Sequence, residues 1–257
     1  MLAFLFPGQG SQRVGMGKAL MEASAECRMT FEEADSILGV SLSRICVDGP
    51  EEQLTLTENA QPAILTTSIA AYRFVLAQGL QPDFVAGHSL GEYSAHVAAG
   101  TLSFADAIMI VRERGRFMQE AVPVGVGSMA AILGLDAEIV MQICNDVANG
   151  AVVAPANFNA PSQVVIAGER EAVGRATTEA RERGAKRVIP LAVSAPFHCA
   201  LMQPAADRLV PILQSVNVAN PRIPVVANVD AKSKTDGQSA IEALIKQVAA
   251  PVLWEQV

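Results

Sequence analysis

The apolar residues of the first 123 positions fall into short runs that alternate with longer amphipathic stretches. Short runs bounded by Pro or Gly predict buried strands, and apolar residues recurring every three to four positions predict helices. Asn59 and Ser103 are of types that begin helices, and Gly79 and Gly100 are placed to end them. The predicted elements are a strand over 2–6, a helix over 59–79, a strand over 83–87, and helices over 90–99 and 103–121. Strands that alternate with helices predict an α/β fold with a mostly parallel sheet.

The pattern changes after Pro123 and the glycine-rich stretch 125–127. The elements predicted there are a strand over 128–134, a helix over 136–149, strands over 151–156 and 163–167, a helix over 169–183 and a strand over 186–192. This β-α-β-β-α-β order is that of the ferredoxin-like unit. We therefore predict a ferredoxin-like small subdomain at 124–194, inserted into an α/β-hydrolase-like catalytic subdomain formed by 1–123 and 195–257.

Composition and charge narrow the class of protein. Of the 257 residues, 51% are hydrophobic and 18% are charged, so the chain can bury a substantial core. The net charge of −7 argues against a nucleic-acid partner, because no domain-wide positive field exists to neutralise phosphates. No apolar run approaches the roughly 18 residues that span a membrane. The cysteines form no C-x-x-C pair, which argues against a zinc site or a redox pair. We expect a soluble, cytoplasmic protein with no membrane association.

A candidate nucleophile stands in the sequence Gly87-His88-Ser89-Leu90-Gly91. This spacing is that of a nucleophile elbow, in which a sharp strand-to-helix turn exposes a serine. A lone motif of this kind also occurs by chance, but here it falls between a predicted strand and a predicted helix. In an elbow, the amide of the residue after the serine points at the oxyanion that forms during attack. The glycines leave room for the tight turn.

The sequence contains three histidines, and elimination points to His198 as the base that activates Ser89. His88 adjoins Ser89, so its side chain should point away from the attack side of the turn. His96 lies two helical turns further on, roughly 10 Å along the axis, where a packed or solvated histidine is usual. No acidic residue between 89 and 198 is predicted at a strand end. We therefore expect a backbone carbonyl to orient the imidazole.

Arg114 falls on the apolar face of the helix predicted over 103–121. The other members of this face are Phe104, Ile108, Val111 and Met118. An arginine within an apolar face must be paired, because an uncompensated buried charge is costly. One interpretation is an internal salt bridge. The other is a guanidinium fork that binds the carboxylate of a substrate.

The glycine-rich stretch FPGQGSQRVGMGK, residues 6–18, does not fit a phosphate-binding loop. A G-x-x-x-x-G-K motif that ends at Gly17 and Lys18 would need glycine at Gln12, and Ala19 is neither Ser nor Thr. We expect this loop to supply a backbone N–H to a neighbouring site instead.

Several stretches taken together resemble the malonyl-CoA:acyl-carrier-protein transacylases of bacterial type II fatty acid synthesis. They are FPGQGSQ at 6–12, QPA at 61–63, GHSLGEYSA at 87–95, RGRFMQEAVP at 114–123, NFNAPSQVVIAG at 157–168 and HCALM at 198–202. They cover essentially the whole chain, so the resemblance is far more specific than the serine motif alone. It implies transfer of malonyl from malonyl-CoA to the phosphopantetheine thiol of acyl carrier protein through a malonyl-serine, with no metal or redox cofactor.

The resemblance also implies roles for particular residues. Ser89 corresponds to the nucleophile, His198 to the base, and Arg114 to the group that binds the malonyl carboxylate. Gln247, in the stretch KQVAAPVLW, matches the position whose backbone carbonyl orients the histidine. Such a carbonyl would explain why no orienting acid is found.

Further implications concern the oxyanion, the acyl group and the chain length. The backbone amides of Gln9 and Leu90 are implied to form the oxyanion hole. Phe197 stands where some relatives have serine, and its bulk implies selection of malonyl over methyl-branched acyl groups. The family usually continues past Pro-Val-x-Trp with a strand and a helix, so we expect that the chain ending at Val257 is either truncated at its C-terminus or a shortened member of the family.

Two other functions remain open. A serine hydrolase such as a thioesterase would use the same nucleophile but release the acyl group to water. A non-catalytic module could recognise an acyl thioester or a carrier protein without turnover. The combination of Ser89, His198 and Arg114 favours transfer over both.

Overall fold

The computed structural model describes residues 1–123, 125–191, 193 and 195–257. Val124 and Ser194, at the predicted limits of the small subdomain, lie outside these residues, as does Ala192 at the end of the last strand predicted there. The described chain forms two compact units. The first comprises Met1–Arg116, Pro211–Ala227 and Lys232–Glu242, and the second comprises Phe117–Val210, Asn228–Ala231 and Ala243–Val257.

The strands and helices are numbered in chain order. The strands are β1 (Ala3–Phe6), β2 (Phe84–Gly87), β3 (Gly127–Leu133), β4 (Val153–Ala160), β5 (Gln163–Glu169), β6 (Arg187–Pro190), β7 (Val225–Val226) and β8 (Ser233–Lys234). The helices are α1 (Lys18–Ala23), α2 (Ala25–Leu38), α3 (Leu42–Asp48), α4 (Glu51–Thr55), α5 (Thr57–Ala77), α6 (Gly91–Ala99), α7 (Phe104–Ala121), α8 (Ala137–Val147), α9 (Arg170–Glu182), α10 (Gln203–Ser215) and α11 (Gly237–Gln247). Short 3₁₀ turns cover Ala200–Met202 and Trp254–Gln256.

The first unit contains a sheet in the order β1-β2-β7-β8. β1 pairs in parallel with β2, from Ala3 opposite Phe84 to Phe6 opposite Gly87, and β2 pairs in parallel with β7. Only β8, at the edge, runs antiparallel to its neighbour. The predicted mostly parallel sheet is confirmed. Because β1 and β2 are parallel, the loops that follow them leave the same edge of the sheet.

The three helices predicted in the first 123 residues correspond to α5, α6 and α7, with one error in capping, whereas α1 to α4 were not predicted. α5 begins at Thr57, two residues before the predicted start, and Asn59 is not its cap. The Asn59 side chain is buried and its Nδ2 donates to the Gln53 carbonyl at 2.9 Å, so it ties α5 back to α4. Ser103 does cap α7, since its Oγ accepts from the Asp106 amide at 2.9 Å. α6 ends at Gly100, whose φ of 76° favours glycine.

The second unit contains an antiparallel sheet in the order β4-β5-β3-β6. The predicted order of strands and helices over this region is present, although β4 extends to Ala160 and carries irregularities after Pro155 and Phe158. The sheet and the helices α8 and α9 share an apolar core. Its fully buried members include Ile132, Val140, Ile143, Val164, Ile166, Ala172 and Ala176.

The subdomain limits proposed from the sequence stay a prediction. The second compact unit contains the region of β3 to β6, but it also includes 117–123, 195–210 and 243–257. Within the described ranges, no helix combines the length and apolar character that crossing a bilayer requires.

Candidate active site

Ser89 lies in the tight turn between β2 and α6. Its φ is 52°, in the left-handed region that non-glycine residues seldom adopt. The amide of His88 donates to the Phe6 carbonyl at 3.0 Å, and the amide of Gly91 donates to the His88 carbonyl at 2.9 Å. These bonds tie the turn to β1 and to itself, so the strained conformation at Ser89 is held by its surroundings. The turn has the conformation expected of a nucleophile elbow.

The glycines on either side of Ser89 are required by close backbone approaches. A Cβ at Gly87 would lie 1.9 Å from the carbonyl carbon of Gly91. A Cβ at Gly91 would lie 2.2 Å from the carbonyl oxygen of Phe6. Since backbone rather than flexible side chains would be struck, neither position accepts a larger residue without movement of the turn.

Arg114 reaches the serine from α7. Its side chain is 2% exposed, and it lies on the same face of α7 as the buried Ile108 and Val111. Its Nη2 donates to Ser89 Oγ at 3.2 Å, and its Nη1 donates to Gln61 Oε1 at 2.8 Å. The guanidinium is therefore held beside the serine by directed hydrogen bonds.

The surroundings of Arg114 combine an aromatic ring and a buried acid. The guanidinium carbon lies 5.4 Å from the centre of the Tyr93 ring, within the range of a cation–π interaction. Burial lowers the pKa of Arg114, and the charges of Tyr93 and Glu92 act in the opposite direction. Burial also raises the pKa of Tyr93 to about 12, so its hydroxyl is neutral at pH 7. Glu92 is a buried source of negative charge, so the structure leaves open both interpretations of Arg114.

Gln61 is a site residue whose role the sequence reasoning did not identify. It is 1% exposed in α5, and it accepts a hydrogen bond from Arg114, 53 positions away in the sequence. The available signal was an amide within the otherwise apolar stretch that follows Ala60, where a buried polar side chain needs a partner. That signal shows that a partner exists but does not say which residue it is.

The N-terminal loop lies against the elbow. A Cβ at Gly8 would be 2.5 Å from the His88 carbonyl oxygen, so the two backbones approach closely. The Gln9 side chain donates from Nε2 to Thr57 Oγ1 at 3.3 Å, which anchors the loop to α5. Among the described residues, no oxygen accepts a hydrogen bond from the backbone amide of Gln9 or of Leu90. Both amides are thus available as donors, as an oxyanion hole requires.

His198 belongs to the second unit. Its Nδ1 lies 3.0 Å from the backbone carbonyl oxygen of Gln247, at the end of α11. The side chain is 3% exposed and its φ is 58°, so this residue too occupies the left-handed region. A carbonyl oxygen can only accept, so this contact places the proton on Nδ1 and leaves Nε2 as the basic nitrogen.

The neighbours of His198 are buried. Phe197 is 8% exposed, and Cys199 is 3% exposed. The Cys199 thiol donates to the Pro196 carbonyl at 3.1 Å, and burial raises its pKa to about 11. A thiol of that acidity is protonated at pH 7, which supports a packing role over a nucleophilic one.

The other histidines are differently placed. His96 is fully buried, 4.0 Å from Glu92 Oε1, and burial lowers its pKa to about 3. It is a packed, neutral residue at pH 7. His88 is half-buried, and its Nδ1 would be 3.2 Å from a Cβ at Gly8.

The predicted site residues divide between the two units. Ser89, Leu90, Gln9 and Arg114 belong to the first, and there the structure brings Ser89 and Arg114 together. Phe197, His198 and Gln247 belong to the second, and there it brings His198 to the Gln247 carbonyl.

Comparison with known proteins identifies the family of the chain. The family model described as acyl transferase domain matches residues 3–256. The chain is 52% identical to the malonyl CoA-acyl carrier protein transacylase of Bacillus subtilis (strain 168), over 99% of this chain and 81% of that protein. It is 51% identical to the protein of the same name from Escherichia coli (strain K12), over 98% of this chain and 82% of that protein.

Solved structures are similar over the same extent. The acyl carrier protein S-malonyltransferase from Vibrio cholerae superposes with a TM-score of 0.97 at 50% identity, covering 99% of this chain and 83% of that one. A malonyl-transacylase solved in complex with a type II PKS acyl-carrier protein gives a TM-score of 0.96 at 49% identity, covering 98% of this chain and 82% of that one. With its serine elbow, its buried arginine and this likeness along nearly its whole length, the chain belongs to the malonyl CoA-acyl carrier protein transacylase family of acyltransferases.

Proposed function

We propose that this chain transfers a malonyl group from malonyl-CoA to the phosphopantetheine thiol of an acyl carrier protein, through a malonyl-serine intermediate. The observation that carries the proposal is the 3.2 Å contact between Arg114 Nη2 and Ser89 Oγ. A nucleophile alone could accept any acyl group. A buried guanidinium beside it favours an acyl group that ends in a carboxylate. The names of the relatives support the same donor and acceptor.

In the first half-reaction, Ser89 Oγ attacks the thioester carbonyl of malonyl-CoA. The C–O bond forms, the carbonyl oxygen takes up negative charge, and the amides of Leu90 and Gln9 stabilise it by hydrogen bonds. Collapse of this intermediate breaks the C–S bond and releases coenzyme A as a thiol. The strained turn at Ser89 presents the hydroxyl in one orientation, which lowers the entropic cost of attack.

His198 is proposed to move the proton in both half-reactions. Its Nε2 accepts the Ser89 proton during attack and gives it to the departing thiol. In the second half-reaction it takes the proton of the phosphopantetheine thiol, which then attacks the malonyl-serine, and it returns that proton to Ser89. The Gln247 carbonyl fixes the tautomer without adding a negative charge. The imidazole can thus act as acid and base in turn.

Arg114 is proposed to bind the malonyl carboxylate. Its hydrogen bond to Gln61 and its position over Tyr93 hold the guanidinium in place before substrate arrives, so little side-chain freedom is lost on binding. Planar pairing of guanidinium with carboxylate supplies two parallel hydrogen bonds. A substrate without the carboxylate, such as acetyl-CoA, makes neither of these two hydrogen bonds.

Phe197 is proposed to limit the size of the acyl group. Its buried ring directly precedes His198, and a methyl branch on the malonyl carbon would need room beside the reacting carbonyl. Substitution by serine, as in some relatives, should therefore favour methylmalonyl relative to malonyl.

Transfer between a thioester, an alcohol and a thiol needs only a nucleophile, a base and oxyanion donors, so we propose no metal or redox cofactor.

The test is the intact mass of the protein after exposure to malonyl-CoA without carrier protein. The parent should gain one malonyl group, and Ser89→Ala should gain none while remaining folded. Ser36→Ala, which changes an exposed serine on α2, is the matched control and should label as the parent does. Absence of any adduct in the parent would support a binding module without turnover.

Kinetics separate transfer from hydrolysis. A covalent intermediate predicts parallel double-reciprocal plots when malonyl-CoA and carrier protein are varied. Converging lines would contradict the malonyl-serine. Steady hydrolysis of malonyl-CoA, equally fast with and without carrier protein, would favour the thioesterase alternative.

A further inference from the structure

Apart from the candidate active site, a cavity lies in the first unit, among α5, α6, α7 and the segment 217–222. It has a volume of about 600 Å³ and is open to solvent, since Arg222 and Asn220 in its lining are exposed. Its polar lining includes Arg73, Arg222, Tyr72 and Asn220. None of these residues belongs to the machinery proposed for malonyl transfer.

The charges around this cavity have one sign. None of the described residues that line it carries a carboxylate, although the chain as a whole has a net charge of −7. Arg73 is paired with Glu33 at 3.0 Å and lies over the Phe104 ring at 5.2 Å, so its charge is partly balanced. In the described part of the chain, no carboxylate lies within ion-pair distance of Arg222. Arg222 is thus a cation available to a ligand.

The fold holds Arg222 in place. Its amide donates to the Ala99 carbonyl at 2.8 Å. A Cβ at Gly100 would lie 2.8 Å from both Nε and Nη2 of Arg222, so the guanidinium rests against the bare Cα of this glycine. Gly100 therefore serves to end α6 and also to admit the guanidinium. The charge of Arg222 also lowers the pKa of Tyr72, against the larger effect of burial.

Part of the lining of the cavity is apolar. Ile69 and Leu76 of α5, Val97 of α6 and Phe104 of α7 contribute to it. A cavity whose lining combines cations with apolar side chains suits a ligand with a charged head and a short hydrocarbon body.

We propose that this cavity binds a small organic anion, a carboxylate or a phosphate monoester with a short apolar chain, through the guanidinium of Arg222. Asn220 supplies a second donor, because its Oδ1 already accepts from the Gly237 amide at 3.0 Å and its Nδ2 remains for the ligand. Tyr72 is committed as a donor to the Ala98 carbonyl at 3.0 Å, so it can only accept.

Arg222 also lies at the C-terminal end of α6, where a cation stabilises the helix dipole. That role needs no ligand and predicts an effect of substitution on stability alone. Binding measurements therefore separate the two roles.

The experiment is calorimetric titration of the full chain with hexanoate and with hexyl phosphate. Hexan-1-ol has the same chain without charge, and inorganic phosphate has a charge without a chain. We expect hexanoate and hexyl phosphate to bind more tightly than hexan-1-ol or inorganic phosphate. Arg222→Gln should weaken their binding about tenfold, as expected for loss of a charge-assisted hydrogen bond. Arg44→Gln, at an exposed arginine outside the cavity, should have no effect.

The position of the bound ligand is read from the backbone amide resonances of Gly100 and Thr101 in NMR spectra. These resonances should shift on binding in the parent and not in Arg222→Gln. Hexanoate and hexyl phosphate distinguish a carboxylate from a phosphate head by their relative affinities. Equal binding of hexan-1-ol, an unchanged affinity in Arg222→Gln, or no binding by any probe up to about 10 mM would each overturn the proposal.

Discussion

Arg114 is 2% exposed on a face of α7 that otherwise carries apolar side chains. It is joined to Gln61 and Ser89 by hydrogen bonds, and the Tyr93 ring lies within cation–π distance. Such a cation is costly to bury, and the surrounding groups offset that cost. A substrate carboxylate would add two parallel, charge-assisted hydrogen bonds to this guanidinium.

Arg114→Ala should therefore lose malonyl transfer and lose far less activity with acetyl-CoA. Removal of one partner of a buried, hydrogen-bonded pair costs about 3–5 kcal/mol, a factor of hundreds to thousands. Arg114→Lys should restore only part of the malonyl transfer, because lysine keeps the positive charge but cannot make two parallel hydrogen bonds to a carboxylate. The measurement is kcat/KM for both acyl-CoAs. Arg116→Ala, at the exposed arginine of the same helix, is the control. If the malonyl-to-acetyl ratio is unchanged in Arg114→Ala, the residue is an internal ion-pair partner of Glu92.

At the scale of elements, the densest basic stretch of the sequence, 181–187, leads into the edge strand β6. Arg183 in that stretch is already paired with Asp146 and Glu179, each at 2.7 Å. Lys186 and Arg187 are exposed, and in the described chain neither has a carboxylate within ion-pair distance. An acidic carrier protein that approaches a chain of net charge −7 needs such a local basic surface.

Charge reversal at both positions, Lys186→Glu with Arg187→Glu, should raise KM for the carrier protein and leave malonyl labelling of Ser89 unchanged. The effect should diminish at high salt, because exposed charges are screened. Lys18→Glu with Arg44→Glu, which reverses two exposed cations elsewhere, controls for net charge. An equal loss in labelling and in transfer, or no loss in either, would show that this edge is not the docking surface.

At the scale of the whole molecule, the buried His96 links stability to pH. Burial lowers its pKa to about 3, whereas an unfolded chain would protonate it near 6.5. The unfolded state therefore binds more protons between these values, and stability falls as the pH falls through this window. The nearby Glu92 carboxylate would favour the protonated form, but burial outweighs it.

His96→Gln should reduce the dependence of unfolding free energy on pH between pH 6 and 5 by about 1.4 kcal/mol per pH unit, the value for one proton. The measurement is urea unfolding at several pH values. A slope that is the same in His96→Gln as in the parent would contradict the neutral, buried state of His96.

The sequence by itself determined the features that depend on neighbours along the chain. Periodicity placed β1 to β6 and α5 to α9, because each of these elements sorts its own residues into buried and exposed faces, but it did not place α1 to α4 or the elements after 202. The Ser103 cap is likewise local, since it is completed within three residues, and the Gly87-x-Ser89-x-Gly91 motif marks the turn although Phe6 of β1 helps to hold it. Asn59 does not begin α5, because its side chain donates a hydrogen bond to the Gln53 carbonyl in the preceding helix. The general preference of asparagine for helix N-caps does not take such a competing hydrogen bond into account.

Only the tertiary structure decided which distant residues meet. The partner of Arg114 is Gln61, 53 positions away, and the carbonyl opposite His198 is that of Gln247, 49 positions away. The resemblance to a family suggested the second pairing, but no pattern within the sequence did. Periodicity shows that a side chain is buried and burial shows that a polar group needs a partner. Which partner it finds depends on how elements pack side by side, and that packing has no counterpart in the order of residues along the chain.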